Sequence, residues 1–316
     1  MFIPLSKVRT QLKKYYPVSS VQRWRVGTSR NSFLVILFKK TYVLKIYPSS
    51  KKLSIQKWIS LLQKINSSQE ILLHPIHEKV LIFEGFVGFM YPFFVGTHFD
   101  KVSFSSLSQK YFTFGKIVGT FDKITSSFLS LVKSNTSLLK TIRDAQRSLP
   151  YLSLNYPDLL LLMKQALDIF KQNYDGSLFR TQLIHTDLHF GNVLYSKMTG
   201  KYLIIDIDGL ESDILVKEIS VILSHFITSS SLKNKKILYL LKGYESVFPL
   251  TPKEKSCIPL FMISRKVGEV VWMISQYRKN KISKKELDFF LYNISFKQLR
   301  VLTSHYEELF VFFKKL

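Results

Sequence analysis

The chain is expected to be an α+β protein, with a strand-rich region followed by a larger helical one. Strand-like apolar runs crowd the first 95 residues, at 21–26, 33–38, 42–47, 79–84 and 86–91, separated by short polar or glycine-bearing turns. After residue 103 the apolar positions recur at i, i+3, i+4 spacing, which is helical. Strands segregated from helices in this way are the α+β pattern.

With 316 residues the chain is long enough for one large or two modest domains. Its 46% hydrophobic and 14% aromatic content exclude a disordered chain. Cys257 is the one cysteine, so an internal disulfide is excluded and a reducing cytoplasm fits. The start, MFIPLSKVRTQLKKYYP, is basic throughout and has no apolar h-region, unlike a secretory leader. The longest membrane-like run, 80–99, is interrupted by Glu84, Gly85, Gly88, Pro92 and Gly96, so buried sheet is expected there and no spanning helix.

Charge is the loudest compositional feature. The net +24 is uneven, because residues 1–69 contain fourteen Lys or Arg and the first acid is Glu70. Only ten of the 46 basic residues are Arg, the side chain that reads bases and phosphates bidentately. A solvated surface or an AT-rich genome therefore outweighs a dedicated nucleic-acid site. A nucleic-acid partner is the lesser reading that charge leaves open. Nothing in the composition speaks to oligomeric state.

In chain order, residues 5–16 form a short amphipathic helix ended by Pro17. Strands 21–26 and 33–38 flank Gly27-Thr28-Ser29-Arg30-Asn31, either an ordinary hairpin turn or a small loop whose amides approach a phosphate. Strand 42–47 embeds one lysine, Lys45, facing solvent or a ligand. Residues 53–65 form a helix with apolar positions at 55, 58, 59, 61, 62 and 65. Two strands follow, and Tyr91-Pro92-Phe93-Phe94-Val95-Gly96 separates the sheet region from the helices. Residues 103–133 and 158–174 are helical; Tyr111, Phe114, Ile117, Val118, Phe121 and Ile124 share one face and read as core. Glu218 opens an apolar helix, and 232–316 read as several helices with basic and aromatic faces.

Residues 183–210, LIHTDLHFGNVLYSKMTGKYLIIDIDGL, carry the chemistry. An apolar lead-in, a polar turn and two apolar runs around a Gly-containing turn are expected to bring His185, Asp187, Asn192, Asp206 and Asp208 to one end of a hairpin. Phosphoryl transfer from ATP needs a carboxylate to accept a hydroxyl proton, and an amide and a second carboxylate for magnesium. His185-x-Asp187-x-x-x-x-Asn192, then Asp206 on the next strand, supplies that set in the chain order of kinases. A zinc half-site from His185 and His189 at i, i+4 would need a helix, which Gly191 and the Tyr202-Leu203-Ile204-Ile205 run oppose.

The wording His-x-Asp-Leu-His-x-Gly-Asn, with a second acid two residues after Asp206, resembles the aminoglycoside phosphotransferase-like small-molecule kinases. That group includes antibiotic, choline and some homoserine kinases and spore-coat kinase-like proteins. The resemblance implies a protein kinase-like bilobal fold, with a small antiparallel β-sheet N-lobe (1–95) bearing one helix and a larger, mostly α-helical C-lobe (96–316). It implies ATP and Mg2+ as cofactors, Asp187 as catalytic base, and Asn192 and Asp206 as metal ligands. Lys45 would then grip the ATP phosphates, with Ser29 and Asn31 in the phosphate loop and Tyr91 and Phe93 at the adenine slot; for Phe93, plain core stands level. His185 would fix the catalytic turn, and Asp208 would assist the metal or only shape the loop. Glu218, twelve residues after Asp206, would brace the catalytic loop or simply be a helix N-terminal acid.

One departure matters: no acid lies between Lys45 and Glu70, so the helix glutamate that usually holds the lysine is missing. Gln56 is the nearest polar stand-in, and a loosely held Lys45 is expected. The implied acceptor is a small hydroxylated molecule (a sugar, amino alcohol, hydroxy amino acid or aminoglycoside type). The Lys-rich 232–316 region fits a polycation poorly. The alternative is a catalytically weak kinase-fold protein with a binding or structural, spore-coat-like role.

Overall fold

A computed structural model describes residues 3–24, 32–65, 71–72, 75–76, 79–126, 137–175, 179–207, 210–227 and 235–316. The chain opens with helix α1 (Leu5–Leu12), followed by β1 (Val18–Arg23), β2 (Ser32–Leu37) and β3 (Lys40–Pro48). Phe38 and Lys39 join β2 to β3 with φ of 48° and 64°, the paired left-handed conformation that matches the twist of a tight hairpin. Helix α2 (Lys52–Lys64), β4 (Leu81–Phe83) and β5 (Phe86–Pro92) complete an antiparallel sheet of order β1-β2-β3-β5-β4.

Side chains alternate across that sheet. Phe33, Val35, Leu44, Ile46 and Met90 pack with Val8 and Leu12 of α1 in one core. Lys45 lies in register with Phe89, whose ring meets Trp58 of α2 at 4.7 Å. The short β6 (Thr97–His98) leads out of the sheet region.

Helix α3 (Leu107–Thr125) starts where the Ser106 side chain accepts from the Gln109 N–H. Helix α4 (Ser137–Asn155), between the two expected helices, contains Pro150, and an interior proline removes a backbone donor and opposes a helix. Burial of Leu138, Ala145 and Leu152 holds it nevertheless. Helix α5 (Pro157–Asn173) begins with a proline at its first position, where the missing N–H costs nothing. Then come β7 (Thr181–Ile184), β8 (Val193–Tyr195), β9 (Tyr202–Ile204), β10 (Glu211–Ile214) and α6 (Val216–Ser224). The remainder is helical: α7 (Lys235–Glu245), α8 (Pro252–Arg278), α9 (Lys284–Phe290), α10 (Phe296–Ser304) and α11 (Tyr306–Lys314).

Two compact units result: one comprises residues 1–102 and 190–208, the other 103–189 and 209–316. In the first, β8 pairs with both β6 and β9 in a three-stranded sheet, and Leu72 bridges to Ile204. In the second, β7 pairs antiparallel with β10, and α8 is the central helix, buried over most of residues 254–270. Its N-terminus is fixed by a reciprocal capping box between Thr251 and Glu254. Helices α3 and α7 approach closely: a Cβ on Gly115 would lie 2.0 Å from the Leu240 carbonyl oxygen. The antiparallel sheet and mostly helical remainder are those of a protein kinase-like α+β fold. Among the described residues no helix is long and apolar enough to cross a membrane.

Candidate functional site

The chemistry-bearing stretch does not form one hairpin. The lead-in β7 turns away to pair with β10, and the hairpin is β8–β9 alone, so His185 and Asp187 belong to one unit and Asn192 and Asp206 to the other. The expectation of a single hairpin delivering all five residues is thereby corrected. Strand pairing is decided by the distant Glu211–Ile214 segment, which local patterning does not reveal.

In the first unit the β8–β9 register places Asn192 opposite Ile205, and the Asn192 carbonyl accepts from the Ile205 N–H at 2.9 Å. Asp206 follows immediately with φ of 62°, a left-handed conformation uncommon outside glycine. His98 holds the preceding turn by donating Nδ1–H to the Gly191 carbonyl at 2.7 Å. Asn192 is buried, whereas the Asp206 side chain is 54% exposed.

Lys45 Nζ reaches Asp206 Oδ1 at 2.6 Å. A recess lined by Lys45, Trp58, Phe89, Tyr91, Ile205, Asp206 and Ile207 surrounds that pair. The loosely held Lys45 expected from the acid-free helix is not found: the residue is 9% exposed and ion-paired. Gln56 is occupied elsewhere, its Oε1 accepting from the Val80 N–H at 3.1 Å. Helix α2 connects to the acidic segment through Trp58 instead, whose indole N–H donates to the Ile207 carbonyl. In sequence Trp58 reads only as an apolar helix position, because nothing local shows that a backbone carbonyl 149 residues on will meet its nitrogen.

Tyr91 lines the recess with Lys45 and Asp206, while Phe93 packs edge-on against Trp24 at 5.4 Å and donates its N–H to Thr41. Ser29, Asn31 and Asp208 lie outside the described residues.

The second unit builds the Asp187 turn on a buried carboxylate. Glu218, fully buried on α6, accepts from the His185 N–H and, at 3.4 Å, from the Thr186 N–H. Thr186 has φ of 67°, a genuine outlier for a β-branched residue, so the turn is held by its surroundings. The ring of His185 packs edge-on against Phe121 at 6.1 Å. Burial raises Glu218 above the usual carboxylate range, partly opposed by His185 and the two N–H donors.

Behind it, Asp122 of α3 is also fully buried and accepts from Tyr244 (2.6 Å) and Gln182 (3.0 Å). Burial, reinforced by the nearby Glu218 charge, pushes Asp122 well above its ordinary value. Asp187 itself is open, with 53% of its side chain exposed, and takes a 2.9 Å hydrogen bond from Arg265 Nη2 on α8. Neither the Asp122 network nor Arg265 is legible locally: the first sits inside an apolar helical face, and the second lies 78 positions from its partner.

A phosphate-seeking lysine beside a carboxylate, and a separately braced, open carboxylate, are parts suited to phosphoryl transfer. The model of the phosphotransferase enzyme family (APH) matches residues 20–246. No curated protein matches the chain. Among solved structures it is similar to spectinomycin phosphotransferase APH(9)-Ia in complex with ADP and spectinomycin, at 15% identity over 98% of each chain and a TM-score of 0.63. It is also similar to the choline kinase LicA from Streptococcus pneumoniae, at 14% identity over 93% of this chain and 97% of that one, with a TM-score of 0.63. A microcompartment-associated aminopropanol kinase gives 14% identity over 96% and 98%, with a TM-score of 0.67. These structures share the fold of the chain, and the family match across more than half its length places it in the phosphotransferase enzyme family.

Proposed function

We propose that the chain transfers the γ-phosphoryl group of ATP to a hydroxyl of a small molecule, with Asp187 as the base. The carrying observation is the Lys45–Asp206 pair at 2.6 Å in the recess that Tyr91 also lines. It joins the two charges a kinase needs for nucleotide phosphates, and the acid-free α2 is no obstacle to it. Lys45 binds the phosphates, and Tyr91 and Phe93 border the base, with Ser29 and Asn31 contributing amides to the phosphate loop. At the acceptor, Asp187 takes the hydroxyl proton as the oxygen bonds to the γ-phosphorus; the bond to the β–γ bridging oxygen breaks and ADP leaves.

Asn192 and Asp206 would hold Mg2+, with Asp208 assisting. An amide oxygen and a carboxylate are hard donors, and two protein ligands leave room for water and phosphate oxygens. The ion would neutralise phosphate charge when bound. Glu218 and His185 hold the Asp187 turn. The acceptor is a small hydroxylated molecule, such as a sugar, amino alcohol or hydroxy amino acid.

The test is ATP turnover against a panel of such acceptors, comparing wild type with Asp187→Asn and Asp206→Ala. Each variant should lose at least about 100-fold in kcat/KM. Wild-type protein that neither binds Mg-ATP nor turns it over with any acceptor would sink the proposal, and full activity in Asp187→Asn would remove Asp187 from the base role.

A further inference from the structure

Arg265 is bonded to the carboxylate assigned as base. Its Nε donates to Glu269 Oε1 at 2.8 Å, its Nη2 to Asp187 Oδ1 at 2.9 Å, and its Nη1 to the Thr186 carbonyl at 3.4 Å. A guanidinium has five N–H groups. Two of them, one on each terminal nitrogen, thus have no partner among the described residues, and 28% of the side chain is exposed beside the open Asp187.

The second acid on Arg265, Glu269, is already committed to two cations. Glu269 takes Arg265 on one oxygen and Lys266 on both, at 3.2 and 3.1 Å. Burial opposes its charge, but Lys266 and Arg265 overcome this and hold it below the usual carboxylate range. Lys266 is itself 1% exposed, and His225 lies close enough to interact with this cluster and with His189. An amine seated near Asp187 would meet a guanidinium and would compete for the carboxylate that must take the proton. A carboxylate or phosphate would meet two guanidinium N–H groups, each able to give it a charge-assisted hydrogen bond.

Further along the same face of α8 lie Gly268 and Trp272, three and seven residues on. A Cβ at Gly268 would meet only the Thr141 methyl, at 3.9 Å, so the helix surface is open there. Trp272 is 57% exposed. This strip runs about 10 Å from Arg265, enough for the carbon skeleton of a small acceptor.

We infer that Arg265 is a specificity-determining residue, and that the acceptor carries an anionic group, a carboxylate or a phosphate, beside the hydroxyl to be phosphorylated. This rests on the kinase reading of Asp187 above. Residues 232–316, with seventeen Lys or Arg against seven Asp or Glu, supply a field of the same sign.

The experiment uses matched acceptors: a hydroxy acid and its amide, a sugar phosphate and its free sugar, an amino alcohol and an aminoglycoside. ADP release is measured for wild type, Arg265→Gln and Arg265→Lys. At least one anionic acceptor should exceed its neutral partner by about tenfold or more in kcat/KM, and the responding pair tells carboxylate from phosphate. That ratio should collapse towards one in Arg265→Gln and survive in part in Arg265→Lys, which keeps charge but loses the planar fork. The inference is overturned if a neutral or cationic acceptor is preferred, or if the ratio is unchanged in Arg265→Gln. A protein that shows a Mg-ATP thermal shift but turns over neither anionic acceptor counts against this inference alone; one that shows no Mg-ATP shift fails the kinase reading itself.

Discussion

Lys45 Nζ and Asp206 Oδ1 stand 2.6 Å apart across 161 positions of sequence, joining β3 to the residue that ends the β8–β9 hairpin segment. The lysine is nearly buried while the carboxylate is half open. The pair is therefore partly screened, and its partners are not equally replaceable.

Without nucleotide, Lys45→Ala should cost under about 1 kcal/mol, since it leaves a half-solvated carboxylate. Asp206→Ala strands a buried ammonium and should cost about 1–3 kcal/mol. Urea unfolding of the two variants checks the order. Equal losses would mean that Lys45 is solvated or otherwise satisfied when Asp206 is gone.

Trp58 ties α2 to the Ile207 carbonyl, beside Asp206. Trp58→Phe retains an aromatic ring beside Phe89 but removes the donor and part of the ring volume. It should lower stability by about 1 kcal/mol and weaken Mg-ATP binding several-fold. Calorimetric titration with Mg-ATP reads the second effect; unchanged affinity would confine Trp58 to packing.

Glu218 can be separated from its charge. Glu218→Ala leaves the His185 and Thr186 N–H groups without their acceptor and should cost about 2–5 kcal/mol. Glu218→Gln retains an oxygen for them and should keep most of the fold. Turnover should fall about 100-fold in the alanine variant even where it remains folded, because the Asp187 turn is displaced. Similar activity in the two variants would argue against a bracing role.

Asp122 and Glu218 set a pH dependence. Burial raises both in the folded state, so the unfolded chain releases these protons at lower pH than the folded one. The unfolded state then binds fewer protons, and stability falls as pH rises from about 4 towards the raised folded values. The slope is at most about 1.4 kcal/mol per pH unit for each proton. Urea midpoints between pH 5 and 9 should show this decline, and Asp122→Asn should flatten it. A variant with the wild-type slope would assign the effect to other groups.

Gly115 is where α3 meets α7. A methyl group there would lie 2.0 Å from the Leu240 carbonyl oxygen, and one on Gly243 would lie 2.0 Å from that of Phe112. Gly115→Ala should destabilise by about 1–3 kcal/mol or more although alanine favours helices, because two backbones must separate. The double variant with Gly243→Ala should cost less than the sum, since both changes open one interface. Thermal unfolding tests both statements.

Much of this architecture is legible locally. The 42–47 strand with its single lysine, the α2 apolar face and the order His185, Asp187, Asn192, Asp206 all follow from residue type and spacing within short windows. Periodicity reports which face of an element is buried, and turn chemistry reports where it ends. Helix α4 is less legible locally: Pro150 opposes a helix, while the burial that outweighs it comes from elsewhere in the chain.

What lay beyond the sequence is partnership over distance. Lys45 lacks the expected helix acid, and only the fold supplies Asp206 from 161 residues away. Asp187 is recognisable by its motif, yet the guanidinium beside it comes from α8, 78 residues on. Short-range steric and hydrophobic preferences determine strands, helices and the motif they carry. Which charge meets which depends on chain closure, where many pairings are compatible with the same local pattern and tertiary packing selects one.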